Sequence, residues 1–353
     1  MIKAPRATAV LLALALAANC SPAAPDRSPA TATPSATPAP TATTPAPPLK
    51  LDSSALNKDF KAYLADRASA AGIMAVDRVT GQSYAFRADD EFVTASVAKL
   101  DIAMTLLLRH QKADDALTDY ERDDLKIMIR NSDNEAADRS FVRAGSATGV
   151  NAADRRFGLE DTTAIDASCL DLLCWSLTTT TPADRVRLLE HLFTGPLDEE
   201  NRGFVLAQMN AVQEDQRWGL EAGALDGDGL YVKNGWMTHA RDGERWAVNS
   251  VGRIEGHGHD LLIAVMTKHN PSHGYGIETA EHLVAKVADA FRATTPDVLA
   301  APAPSTPTAT ATATASATPD AATGPVTGQT GSNSGSGSGT GAGVSSSRMP
   351  YLR

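Results

Sequence analysis

The chain has no concentrated basic stripe. Its 32 lysines and arginines are outnumbered by 42 aspartates and glutamates, for a formal net charge of −10. A nucleic-acid partner needs a positive face to meet phosphates, so none is expected. No segment carries the roughly 20 apolar residues of a spanning helix. No glycine-rich phosphate loop precedes a helical pattern. The eight histidines show no metal-ligand spacing, which would need further ligands at set intervals. His257 and His259, in Gly256-His257-Gly258-His259, read as a turn between two strands. No metal or cofactor is expected. Cysteine is scarce: three residues, an odd number that cannot pair completely within one chain.

What is present begins with an export signal. Lys3 and Arg6 precede a short apolar core, Ala9 to Ala18, which is too short to span a bilayer. It ends at Leu16-Ala17-Ala18-Asn19-Cys20, which resembles a bacterial lipobox apart from Asn19, where a small residue is usual. The expectation is a signal peptide over 1–20 and a lipid on Cys20, holding the protein at the outer face of the cell membrane; the alternative is plain secretion. Residues 21–49 are rich in Pro, Ala and Thr and form an extended linker. Residues 295–353 form a low-complexity tail with nothing to bury. One domain is expected over 50–294. With Cys20 acylated, Cys169 and Cys174 remain. Export favours a disulfide between them, which five residues of separation permit only in a tight turn; otherwise they are two buried thiols.

Within 50–294 the patterning is mixed. Helices are read over 56–68, 96–109, 134–143, 148–157, 182–194, 198–212 and 276–292. The second is apolar nearly all round, as a buried helix is. Thr118-Asp119-Tyr120-Glu121 is a capping box opening a helix to Arg130. Strands are read over 72–77, 82–87, 230–236, 245–254 and 260–267. Strands at both ends with helices between imply an α+β fold: one antiparallel sheet built from the two chain ends, flanked by helices, with a helical subdomain inserted.

Three short motifs carry chemistry. Ser96-Val97-Ala98-Lys99 puts an amine one helical turn from a hydroxyl, the arrangement in which a neutral lysine creates a serine nucleophile; otherwise Ser96 is a cap followed by a surface lysine. Ser132-Asp133-Asn134 offers a hydroxyl to pass a proton and an amide to hold a carbonyl; Ser132 with Glu135 also reads as a helix cap. Lys233-Asn234-Gly235 closes a strand-like run. There Lys233 could attract a carboxylate, and the N–H of Trp236 could join that of Ser96 as an oxyanion hole; the other reading is an Asn-Gly hairpin turn.

In this order the motifs resemble the Ser-x-x-Lys, Ser-Asp-Asn and Lys-Thr/Ser-Gly set of the penicillin-recognising serine enzymes. Residues 54–292 look like the catalytic domain of class A β-lactamases. The resemblance extends to Trp175-Ser176-Leu177-Thr178-Thr179-Thr180-Thr181-Pro182 and to Gln216-Arg217-Trp218-Gly219. It implies catalytic Ser96, Lys99 and Ser132, substrate binding by Asn134, Lys233, Asn234, Gly235 and Trp236, and an acyl-Ser96 intermediate with β-lactam amides in a monomer. Three departures stand out. Ser96 and Ser132 are close in sequence, position 234 is Asn, and the Ω-loop lacks Glu-x-x-Leu-Asn. In class A enzymes that glutamate activates the deacylating water. Of the acidic residues at 160–177, Asp166 is the spare candidate, or else a turn or cap residue. Slow deacylation is the expectation. The alternatives are a D-alanyl-D-alanine carboxypeptidase acting on cell-wall peptide, or a lipoprotein that binds penicillin without turnover. Of two arginines, Arg245 and Arg253, strand register decides which could meet a substrate carboxylate.

Overall fold

The computed structural model describes residues 49–169 and 172–294, with only the backbone described at Cys169 and Leu172. The expected signal, Cys20, most of the linker, Asp171 and the tail lie outside the described residues.

In chain order the elements are α1 (Ser53–Ala65), β1 (Ala70–Asp77), β2 (Ser83–Phe86), β3 (Phe92–Val93), α2 (Lys99–Ala113), α3 (Asp119–Arg130), α4 (Asn134–Ala144) and α5 (Ser146–Arg156). There follow β4 (Ser168–Cys169), β5 (Leu172–Leu173), β6 (Thr179–Thr180), α6 (Pro182–Glu190), α7 (Glu199–Asn210), β7 (Gly229–His239), β8 (Arg245–Gly256), β9 (His259–Asn270) and α8 (His273–Arg292). Short 3-10 turns at Ala95–Ala98 and Cys174–Leu177 lead into α2 and β6.

Five strands form one antiparallel sheet in the order β2-β1-β9-β8-β7. β9 is central in sequence logic as well as position: from Leu261 to Met266 every residue is buried. Its side chains alternate between faces, as a strand covered on both sides requires. Leu261, Ile263 and Val265 join the core under α1 and α8, with Phe60, Ile73, Leu283, Val287 and Phe291. Leu262 and Ala264 join the larger core of the helical side, with Ile102, Leu106, Met128, Phe141 and Trp175. The backbone N–H of Leu49 donates to Thr294 O at 2.9 Å, so the two ends of the described body meet. The sequence-based architecture is the observed one, and β7 is one of the sheet's two edge strands, opposite β2.

The capping box at Thr118 and Glu121 is formed as read. Between β8 and β9, His257 (φ 48°) and Gly258 (φ 81°) make the two-residue turn expected of Gly-His-Gly-His. The helix expected over 182–194 stops at Glu190, and that expected over 96–109 begins as a 3-10 turn and runs on to Ala113. The two-residue strands β3 to β6 escape periodicity altogether, because two residues carry no period. Cys174 is disulfide-bonded, and β4 and β5 pair antiparallel, with Ser168 opposite Leu173 and Cys169 opposite Leu172.

Candidate active site

The 3-10 turn that carries Ser96 is held from below and in front. Asn249, on β8, donates from Nδ2 to the carbonyls of Val93 and Thr94, at 2.9 and 3.1 Å. Its own Oδ1 accepts from Thr267 N. The N–H of Thr94 donates to Thr178 O at 2.8 Å. So pinned, the chain passes through Ala95 at φ 48°, a left-handed conformation that a non-glycine residue adopts at a cost. Ser96 follows, 2% exposed. Sequence reasoning missed Asn249, since a polar residue in a strand gives no signal of what it holds.

One turn on, Lys99 is wholly buried. Its Nζ lies 3.0 Å from Ser96 Oγ, 2.6 Å from Ser132 O, 3.1 Å from Ser132 Oγ and 2.8 Å from Asn134 Oδ1. Ser132 reaches it because its own backbone is left-handed, φ 55°. The helix cap expected of Ser132 is instead supplied by Asp133, whose side chain accepts from Ala136 N at 2.7 Å. That division of labour frees the Ser132 hydroxyl. Lys233, also wholly buried, donates to Ser132 Oγ at 2.9 Å and to Asn234 O at 2.8 Å. Ser132 Oγ therefore sits between two amines drawn from α2 and β7.

Two buried amines so placed cannot both carry charge at low cost. Burial, and then the Lys233 charge, hold Lys99 well below the ordinary lysine range, against the pull of Asp133 and Asp138. Burial brings Lys233 down to about 7. A neutral amine has two N–H groups and one lone pair. In Lys99 the Ser132 carbonyl and the Asn134 amide oxygen, both pure acceptors, take the two N–H groups. The lone pair is left for a hydroxyl, and Ser96 Oγ at 3.0 Å and Ser132 Oγ at 3.1 Å both stand within reach of it.

Gly235 lets β7 come this close. A Cβ there would stand 2.6 Å from Thr94 O and 2.8 Å from the N atoms of Ser96 and Val97. Asn234 faces elsewhere: its Nδ2 donates to Gln216 O and Trp218 O, both at 2.9 Å, tying the 216–219 loop to the strand. Trp236 packs edge-on to Trp218 and stacks with His273. The register settles the two arginines. Arg253 stands opposite Tyr231 and is ion-paired with Asp260 and Glu255; Arg245 stands opposite His239. Facing Lys233, Asn234 and Gly235 are Val251, Ser250 and Asn249.

The floor under Lys99 is an indole. The Trp175 ring centroid lies 4.7 Å from Nζ, and Trp175 Nε1 donates to Asp138 Oδ1 at 2.6 Å. The sequence showed Trp175 only as part of a family-like run and gave no hint of Asp138. Asp166 accepts from Ala147 N at 2.9 Å, in the first turn of α5. It is the cap residue of its two readings. None of the four hydrogen-bonding partners of Lys99 is a carboxylate. Among the described residues no cluster of His, Cys, Asp and Glu could hold a metal ion.

The chain is 33% identical over 201 residues to "Putative lipoprotein LppW" of Mycobacterium tuberculosis and of Mycobacterium bovis; the match covers 54% of this chain and 62% of those relatives' length. Among solved structures it matches PBP-A with a TM-score of 0.59 at 21% identity, over 70% of this chain and 99% of that one. It matches an ancestral class A β-lactamase with a TM-score of 0.57 at 20% identity, over 67% and 99%. These likenesses show a class A β-lactamase-like fold. The model of the Beta-lactamase enzyme family matches residues 111–294, which begins after Ser96 and Lys99 and takes in Ser132 and Lys233. On that match, which spans just over half of the 353 residues, the chain belongs to the beta-lactamase enzyme family.

Proposed function

We propose that this protein is an exported active-site-serine hydrolase that forms an acyl intermediate on Ser96 with β-lactam amides and releases it slowly. The observation that carries the reading is the single buried contact set of Lys99: two acceptors that consume its N–H groups, the Ser96 hydroxyl at 3.0 Å and the Ser132 hydroxyl at 3.1 Å. Lys99 takes the proton of Ser96 as Oγ attacks the amide carbon. The resulting ammonium is disfavoured by burial and then by Lys233. Its proton passes to Ser132 Oγ, and the Ser132 proton goes to the leaving nitrogen as the C–N bond breaks. The N–H groups of Ser96 and Trp236 would hold the oxyanion, and Asn134 and Lys233 the substrate.

Deacylation needs a base for water. Trp175 stands against Lys99, and an indole cannot take a proton from water. Lys99 must act twice, and the acyl-enzyme persists. That favours a second reading, a penicillin-binding-protein-like peptidase on cell-wall peptide. A point mutant of PBP-A, similar in fold, has been captured as an acyl-enzyme with penicillin G. Export and a lipid at Cys20 are supported by the N-terminal sequence and by relatives named as lipoproteins.

The test is mass spectrometry of the protein after exposure to a fluorescent penicillin, with nitrocefin turnover and D-Ala release from a synthetic peptide measured alongside. A stable adduct on Ser96 with slow nitrocefin turnover is expected. D-Ala release exceeding β-lactam turnover assigns the peptidase. No adduct and no turnover leaves a binding protein and ends the hydrolase reading.

A further inference from the structure

We infer that the cleft between α2 and α5 is a second binding site, apart from Ser96, and that it takes a phosphoryl group. Its cations come from two distant segments of the chain, so the sequence shows no basic stripe. α2 begins at Lys99 and carries Thr105, Arg109 and Lys112 further along. At about 1.5 Å of rise per residue, Lys112 stands about 20 Å along the helix from Lys99. The cleft therefore shares a helix with the catalytic lysine but none of its contacts.

A cavity of about 210 Å³ opens between the two helices. Thr105, Arg109 and Lys112 of α2 line it, with Gly149, Ala153 and Arg156 of α5 across from them. No acidic residue lines it, although the chain as a whole carries a formal net charge of −10. Among the described residues Arg109, Lys112 and Arg156 belong to no ion pair, whereas Arg139 and Arg143 close on Asp124, and Arg185 on Asp101. Like charges gathered around one cavity repel one another, and an anion between them reverses the sign of that interaction. Lys112 and Arg156 lie in the last turns of their helices, where the helix dipole favours a cation. The dipole explains those two residue types. It does not explain two further features.

The first is Thr105. It is 1% exposed, it lines the cavity, and its Oγ1 has no hydrogen-bond partner. Buried hydroxyls are nearly always bonded, so this one calls for an acceptor in the cavity. The second is Arg109. Its Nη1 donates to Ala144 O at 3.2 Å, and the guanidinium lies against the joint between α4 and α5. A Cβ at Gly145 would stand 2.6 Å from Nη1, and one at Gly149 3.9 Å from it. Two glycines thus make room for the cation and one carbonyl holds it, while the rest of its N–H fork stays open to a ligand. A planar fork, a compact ammonium and a hydroxyl together suit a multiply charged oxyanion. A single carboxylate has too few oxygens to use them all. The cavity is smaller than the roughly 300–1,000 Å³ of sites that enclose whole cofactors, so the group that enters is a compact one.

Calorimetric titration of the full chain with inorganic phosphate, and with acetate at matched ionic strength, tests this. Phosphate should bind at one site, at least tenfold more tightly than acetate. Lys112→Gln combined with Arg156→Gln should weaken phosphate binding at least tenfold; both side chains are exposed, so the fold does not depend on them. Thr105→Val, which removes only the hydroxyl, should weaken it too, and the double variant carries the test should Thr105→Val not fold. No binding of phosphate, equal affinity for acetate, or an affinity unmoved in a folded variant overturns the inference. Sedimentation with vesicles of phosphatidylglycerol or of phosphatidylcholine then separates two sources of the group. A lipid on Cys20 would act alike in parent and variant. Preference for phosphatidylglycerol that the double variant loses assigns a lipid headgroup, and phosphate binding without that preference assigns free phosphate.

Discussion

Lys99 has four polar neighbours and, when neutral, two N–H groups for them, so its lone pair must face a hydroxyl. The assignment of base rests on that count. Replacing Lys99 by Met should lower the rate of Ser96 acylation by roughly 10²–10⁴-fold, the usual worth of a placed general base, while the protein remains folded. Retained acylation at the parental rate ends the assignment. The pH dependence supplies a sharper check. Burial and Lys233 depress the pKa of Lys99, so acylation should rise with pH and level off well below the ordinary lysine range. An exposed lysine would put that limb near 10.4, and a limb found there would show Lys99 to be an ordinary amine. The motif alone carried the pairing of Ser96 with Lys99, because a spacing of three along a helix is a geometric statement. It did not carry the left-handed turn at Ser132 or the transfer of the helix cap to Asp133. Cap preference admits Ser and Asp alike, and only the need for a free hydroxyl between two amines separates them.

At the scale of elements, the site is a junction of β7, the turn before α2, and the head of α4, and each joint hangs on a particular side chain. Gly235 is the joint between strand and nucleophile turn. Gly235→Ala would drive a methyl group against Thr94 O and the N atoms of Ser96 and Val97, and backbone cannot yield as a flexible side chain can. A misplacement of about 1 Å costs on the order of 10²-fold in rate. Acylation should fall by that order, with far-UV circular dichroism unchanged; an Ala variant of parental activity would refute the close approach. Asp138 is the joint between α4 and the floor, accepting from Trp175 Nε1 and from Leu173 N. Asp138→Ala leaves a buried indole N–H unsatisfied, a loss of about 1–3 kcal/mol, whereas Asp138→Asn keeps an acceptor and should lose less. Denaturant midpoints of the two variants measure the difference, and equal midpoints would show that the bond holds nothing. The long elements were legible from periodicity and caps, as the capping box at Thr118 shows. The joints were not, because they consist of single residues whose partners lie tens of positions away.

Across the whole molecule, two apolar cores lie on opposite faces of one sheet, and the sequence announces both through the buried runs of β9 and α2. Polar residues buried inside the helical half were illegible, since an isolated charge in a helix reads as a solvated face. Arg185 and Asp101 are both fully buried and paired at 2.6 Å, joining α6 to α2. Asp154 of α5 is buried beside them, and neither of its oxygens receives a hydrogen bond. Desolvation, with the Asp101 and Asp184 charges adding and Arg185 opposing, raises its pKa to about 8. An unfolded aspartate titrates near 3.9. Between those values the folded state binds the extra proton, so this group's contribution is complete below about pH 4 and is lost as pH rises to about 8. Asp154→Asn keeps the shape and removes the titration. The difference in melting temperature, variant minus parent, should be near zero at pH 4, grow through pH 6, and level off above pH 8. Lys233 works in the opposite sense, adding stability as pH rises above about 7, but it does so equally in both proteins and cancels in the difference. A melting difference that stays constant from pH 4 to pH 9 would mean that Asp154 is ionised in the folded chain, and that Arg185 is shared between two carboxylates after all.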